Sequence, residues 1–214
     1  MVEASVFDLL SDQIRQALFQ GGIVEPTPPQ NAAIPHILAG EDVLIIAPTG
    51  SGKTEAALLP IFTKILEVED RRGILALYIT PLRALNRDML KRLTLWSSKL
   101  GFTVEIRHGD TPQKDRRRQS KEPPHLLVTT PETLQAILPG KRMRSHLRNV
   151  RWVIVDEIHS LAASRRGVQL ALGLERLKQL VGKDFQRIGL SATVGNPKEV
   201  AALLSELGRN VSII

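Results

Sequence analysis

"IIAPTGSGKTEAAL", residues 45–58, decides how the chain is read. Two bulky apolar residues close a strand-like run, two glycines bracket a turn, and a lone lysine stands where a helix-forming run begins. Gly50 and Gly52 free the backbone to turn its N–H groups toward an anion, and a helix starting near Lys53 adds the positive end of its dipole. The spacing is that of a phosphate-binding loop, with Ala47 in the place of the usual first glycine. On that reading Thr49, Gly50, Ser51 and Gly52 form the cradle. Lys53 reaches the β- and γ-phosphates, and the Thr54 hydroxyl ligates Mg²⁺.

Outward from this loop, strand-like and helix-period runs alternate along the chain, the mark of a parallel sheet covered by helices. "DVLIIA", "ILALYIT", "FTVEI", "HLLVTT", "RWVIVD", "QRIGLSA" and "NVSII" read as short strands, and unbroken apolar runs such as "WVIV" suit strands buried on both faces. "KTEAALLPIFTKIL", "RALNRDMLKRLTLWSSKL", "RRGVQLALGLERLKQLV" and "PKEVAALLSEL" carry apolar residues at spacings near three and four and predict amphipathic helices. A first helix is expected over Ser5 to Phe19, stopped by Gly21 and Gly22. The expected fold is α/β, a doubly wound, mostly parallel sheet with helices on both faces, formed as one domain over residues 1–214 with a helical lead-in over 1–25.

In such sheets the ligand lies outside the carboxyl ends of the strands. The unusual segments do follow strands: "APTGSGKT", "TPLRAL", "TTPETL", "DEIH" and "SATV". A phosphate loop needs a metal-holding acid on a neighbouring strand, and "RWVIVDEIHS" supplies one. Asp156 is placed to hold Mg²⁺ through water, and Glu157 to orient or deprotonate an attacking water.

Composition narrows the field further. The formal charge is +7, from 29 Lys and Arg against 22 Asp and Glu, which favours polyanionic partners. Much of the excess lies in "RHGDTPQKDRRRQSK" (107–121) and "GKRMRSHLRNVR" (140–151). The absence of cysteine excludes disulfides, thiolate metal sites and cysteine nucleophiles. No apolar run is long enough for a membrane span and no signal peptide is visible, so no membrane partner and a cytoplasmic location are expected.

With these motifs in place, the chain resembles the first, RecA-like motor domain of superfamily 2 helicases, and "DEIH" puts it with the branch whose second motif reads D-E-x-H. The resemblance implies ATP and Mg²⁺ as cofactors, and a nucleic-acid partner, single-stranded or a tailed duplex. The match of "EPTPPQ" implies that Gln30 reads adenine, for which a carboxamide has the right donor and acceptor. "TPLRALNRD", "HGDT" and "TTPETL" look like strand-gripping segments, which carries Arg83, Gly109, Asp110, Thr130 and Glu132 over as nucleic-acid contacts; helix N-termini and threonine hydroxyls can hold phosphates without reading bases. "SATV" is similar to the third motif, so Ser191 and Thr193 are implied to couple the nucleotide site to strand binding. His159 is implied to lie near the nucleotide and take part in that coupling. "RHGDTPQKDRRRQ", "DEIHSLAASRRGVQLALGLERL" and "QRIGLSATVGNPKEVAALL" resemble the large helicase-related (Lhr) group.

The family's complete motor has a second domain that supplies arginines to the γ-phosphate, and no second such segment follows Thr193. The sequence therefore reads as the ATP-binding half of a longer helicase whose second motor domain belongs to the same polypeptide. A nucleotide-gated DNA- or RNA-binding module without unwinding is the alternative. A small-molecule kinase would leave "TPLRAL", "TTPETL" and "SATV" unexplained.

Overall fold

The computed structural model describes residues 4–81, 87–162, 164–205 and 210–214. Seven described strands form one sheet: β1 (Asp42–Ile46), β2 (Ala76–Ile79), β3 (Val104–Arg107), β4 (Leu126–Thr129), β5 (Trp152–Val155), β6 (Gln186–Ser191) and β7 (Val211–Ile213). Their order is β3-β4-β2-β5-β6-β1-β7, and every described pair is parallel. The doubly wound fold expected from the alternation is thus present.

Side chains of the central strands alternate between two cores, which explains why β1, β2, β4 and β5 are apolar almost throughout. Val43, Ile45, Ala76, Tyr78, Trp152 and Ile154 enter one core, packed by helices α1 (Asp12–Gln20), α2 (Pro28–Leu38), α3 (Lys53–Leu66) and α4 (Arg87–Leu100). Leu44, Leu77, Ile79, Val153 and Val155 enter the other. That second core is covered by α6 (Pro131–Ile137), α7 (Lys141–Leu147), α8 (Ile158–Ala162), α9 (Arg165–Val181) and α10 (Pro197–Ala202). Each fully buried Val, Leu or Ile side chain contributes about 1.5–3 kcal/mol. The short helix α5 (Gln113–Lys121) joins the edge strand β3 to β4 and buries little besides Gln119.

The lead-in departs from expectation. Instead of one helix there is a 3₁₀ turn over Val6–Leu9, and α1 begins only at Asp12. Ser5 and Asp8 close a capping box on the turn, Leu10 is extended, and the Ser11 N–H is drawn to the Thr63 hydroxyl at 3.3 Å. Local capping and this tertiary bond overrule the helical period.

Parallel β6 lies between β1 and β5, so the segments leaving all three emerge side by side at the carboxyl edge. At the opposite edge a buried pair, Asp42 with Arg187, links the starts of β1 and β6: the Arg187 N–H donates to Asp42 Oδ1 at 2.7 Å.

Candidate nucleotide and nucleic-acid site

The phosphate-loop segment runs from the end of β1 to α3 as the spacing predicts. Gly50 and Gly52 sit at φ +82° and +87°, where an L side chain is strained. At Gly52 a Cβ would also come within 2.7 Å of Gln30 Nε2 and displace that side chain from the loop. The Ser51 hydroxyl donates to the Pro48 carbonyl at 2.7 Å, folding the loop back on itself, while Thr49 and Gly50 are exposed. Lys53 and Thr54 open α3. The Lys53 side chain is buried, and Thr54 is half-buried.

Gln30, in the first turn of α2, is buried against this loop. Its Oε1 accepts from the Thr27 N–H at 3.0 Å and its Nε2 donates to the Gly52 carbonyl at 3.3 Å. A side chain assigned from a motif therefore meets the loop directly across 22 residues of sequence.

Asp156 leaves the end of β5 almost fully buried. Its two oxygens are already engaged: Oδ1 accepts from the Glu157 N–H at 2.9 Å and Oδ2 from the Tyr78 hydroxyl at 2.7 Å. Burial pushes its carboxyl above the usual range; the Tyr78 bond pulls it down and the Glu157 charge adds to the rise. Tyr78, on β2, is fully buried. Its phenol is pushed well up by burial and by Asp156. The phenol thus anchors Asp156, which with Thr54 was singled out as a metal ligand. Their oxygens suit a hard cation such as Mg²⁺. Among the described residues no group of three or more His, Cys, Asp or Glu could hold a metal.

Glu157 adopts φ 51°, a left-handed conformation uncommon for a residue with a Cβ. Its Oε2 lies 3.2 Å from His159 Nε2. The Ala192 N–H donates to His159 Nδ1 at 3.2 Å, which leaves the proton on Nε2, facing Glu157. The Ser191 hydroxyl lies 3.3 Å from the same Nδ1. His159 therefore joins the acid pair after β5 to the segment after β6, while Thr193 stays exposed.

Gln30, Gly52, Lys53, Thr54, Asp156 and Glu157 share one cavity of about 640 Å³, within the range of small-ligand sites, about 300–1,000 Å³. The remaining motif residues stand at the ends of β3 and β4. Arg116 Nε donates to the Thr111 carbonyl at 2.8 Å and His108 N–H to the Thr111 hydroxyl at 2.9 Å, so the turn carrying exposed Gly109 and Asp110 is clamped from α5. The buried Thr130 caps α6, accepting from the Thr133 N–H at 3.3 Å, and Glu132 pairs with Arg166 at 2.8 Å. Arg83 lies outside the described residues.

Tyr78, Arg116 and Arg166 were not singled out from sequence. For Tyr78 a signal existed: it is the only tyrosine, set inside a strand expected to be buried on both faces, where a hydroxyl needs a partner.

The sequence pattern of the DEAD/DEAH box helicase family matches residues 27–200. The chain is 44% identical over 191 residues to the ATP-dependent helicase Lhr-Core of Sulfolobus acidocaldarius, covering 83% of this chain and 22% of that protein. It is 46% identical over 193 residues to the protein of the same name from Methanothermobacter thermautotrophicus, again covering 83% of this chain and 22% of the relative. Among solved structures it superposes on the Mycobacterium smegmatis helicase Lhr, bound to ssDNA and AMP-PNP, with a TM-score of 0.89 and 39% identity over 99% of this chain and 28% of that one. The chain spans about a quarter of the length of the Lhr-Core relatives it matches. It belongs to the DEAD/DEAH box helicase family and has the fold of the first motor domain of superfamily 2 helicases.

Proposed function

We propose that this chain is the ATP-binding half of an ATP-driven helicase or translocase acting on DNA or RNA–DNA duplexes. The observation that carries the reading is the convergence of Gln30, Lys53, Thr54, Asp156 and Glu157 on one cavity, with His159 reaching from Glu157 to the segment after β6. The relatives' names point the same way, to ATP-dependent helicases and to a homologue holding ssDNA and AMP-PNP.

In this account the loop N–H groups and Lys53 hold the phosphates, and Gln30 releases its internal bonds to read adenine. Thr54 and Asp156 would hold Mg²⁺, which when bound neutralises charge on the transferring phosphate. Glu157 positions the attacking water. His159 transmits the state of that acid to Ser191 and Ala192, and through the following Thr193 toward the strand-binding half of the edge. Gly109, Asp110, Thr130 and Glu132, with Arg83, serve as contacts to one nucleic-acid strand, largely through phosphates.

A second motor domain on the same polypeptide would supply the arginine that completes hydrolysis, a contribution worth about 10³ to 10⁵ in rate. The 214-residue chain should accordingly bind ATP and turn it over very slowly. The experiment that tests the motor reading uses a polypeptide extended through that second domain. ATP-dependent strand displacement that vanishes in Lys53→Ala is expected. A folded, ATP-binding extended protein that displaces no strand from tailed DNA or RNA–DNA duplexes would leave only a nucleotide-gated binding module.

A further inference from the structure

The motifs leave unexplained where this chain keeps its positive charge. Residues 113–121 and 141–151 hold ten Lys and Arg against one acid, Asp115, so these segments carry +9 while the whole chain carries +7. Everything else is slightly acidic. In the fold the segments become α5 and α7, with the turn leading into β5, and they lie side by side: His146 Nε2 donates to the Ser120 carbonyl at 3.1 Å.

The two helices turn their few packing groups inward. Gln119 of α5 donates to the Ile106 carbonyl at 2.8 Å, and Met143 and Leu147 of α7 are buried. Two arginines are occupied, Arg116 by the 108–111 turn and Arg118 by Glu105 and Asp115, both at 3.3 Å. By contrast Lys114, Arg117, Lys121, Arg142, Arg144 and Arg148 are exposed and have no acidic partner among the described residues. Lys114, Arg117 and Lys121 follow one another at helical spacings of three and four and, with Arg118 and a single acid, Glu122, line a groove of about 440 Å³. Like charges so placed weaken an isolated helix. The phosphates of a polyanion laid along them would offset that repulsion, and the counterions it released would favour binding.

Two features choose among polyanions. Neither segment contains a Trp, Tyr or Phe, so the surface has no platform on which unpaired bases could stack, the usual grip on a single strand. It offers phosphate contacts alone, which suit a duplex whose bases are already stacked. Position agrees: α5 starts just past the turn holding Gly109 and Asp110, and Arg116 ties the two together. The basic face therefore starts at the motif-bearing edge and leads away from it. A nine-residue helix is about 13 Å long, the axial rise of about four base pairs of a duplex.

We infer that α5 and α7 form a docking surface for the sugar–phosphate backbone of a duplex arm, separate from the residues that hold the single strand. This rests on the nucleic-acid reading above. The test replaces Arg117, Lys121, Arg144 and Arg148 together by Gln in the 214-residue chain, with folding checked by thermal melting, and compares a blunt duplex with a short single strand across a KCl series. Lys99→Gln, Lys183→Gln and Lys198→Gln, combined, form a control with exposed charges removed elsewhere.

The duplex affinity of the four-fold variant should fall about tenfold or more, and its salt slope should become shallower by about 3. Its single-strand affinity should move less than about twofold, and the control should match wild type. Unchanged duplex affinity and slope would overturn the inference alone and leave the patch for an acidic protein surface. An equal loss for both substrates would overturn the duplex assignment. A wild-type chain that bound no nucleic acid of any kind would overturn the underlying reading as well.

Discussion

Tyr78 holds a residue that the proposed chemistry needs. Its hydroxyl donates to Asp156 at 2.7 Å, so removing it should leave the fold intact but free that carboxylate to wander. Outer-shell partners of metal ligands typically contribute 10–100-fold in affinity. In Tyr78→Phe the Mg²⁺ concentration needed for half-maximal ATP binding, followed by titration, should therefore rise about tenfold. An unchanged Mg²⁺ requirement would show that the phenol merely fills space. Asp156 gives a prediction in the opposite direction. Because burial raises its folded-state pKa, the fold binds this proton more tightly than the unfolded chain does. Stability is therefore lost as pH climbs from the ordinary carboxylate value through the raised one. Asp156→Asn should relieve that penalty, raising the nucleotide-free Tm at neutral pH by about 2–4 °C, roughly 1 kcal/mol. A lower Tm would mean that the ionised carboxylate stabilises the site through Lys53. Neither effect is visible in "WVIVDEIH" alone, since Tyr78 lies on another strand. Lys53, Thr54 and Asp156 were legible because each sits at a fixed offset from a strand end. The partner of a buried hydroxyl depends on which strands become neighbours.

At the scale of elements, period and punctuation sufficed where a run was long. The spans Lys53–Leu66 and Arg165–Val181 form helices over the runs read from apolar spacing, and α3 continues through Pro60 because its buried face outweighs one lost backbone bond. Short elements were less legible. α8 has five residues, and its direction is set by contact with α9. That contact is close at Gly167, where an added Cβ would lie 2.3 Å from the Leu161 carbonyl oxygen. Gly167→Ala must push α8 and α9 apart. A destabilisation of about 2 kcal/mol is expected, a fall in Tm of about 4–8 °C. Because α8 carries His159, the link to Ala192 should loosen as well. A Gly167→Ala protein melting with wild type would show that the two helices separate at no cost. The lead-in failed as a single predicted helix for a related reason: the bond from Ser11 to Thr63 crosses 52 residues, and no local period announces it.

At the scale of the molecule, sheet order places the chemistry. With β6 between β1 and β5, the phosphate loop, the Asp156–Glu157 pair and Ser191 share one edge, and His159 spans the gap between two of them. Five motif-bearing segments following five strands made that edge readable from sequence, because parallel connections return every strand in the same direction. The strand order itself came only from the fold, and so did the meeting of the two basic segments on α5 and α7. If this edge is an ATP site built on Lys53 and Gln30, calorimetric titration of ATP and GTP, with Mg²⁺, into the wild-type chain and Lys53→Ala should show one ATP site per chain, weaker GTP binding, and a loss of ATP affinity of about tenfold or more in Lys53→Ala, the range of a charge-assisted phosphate contact. A folded wild-type chain that bound no ATP, or a Lys53→Ala protein that bound it equally well, would contradict it.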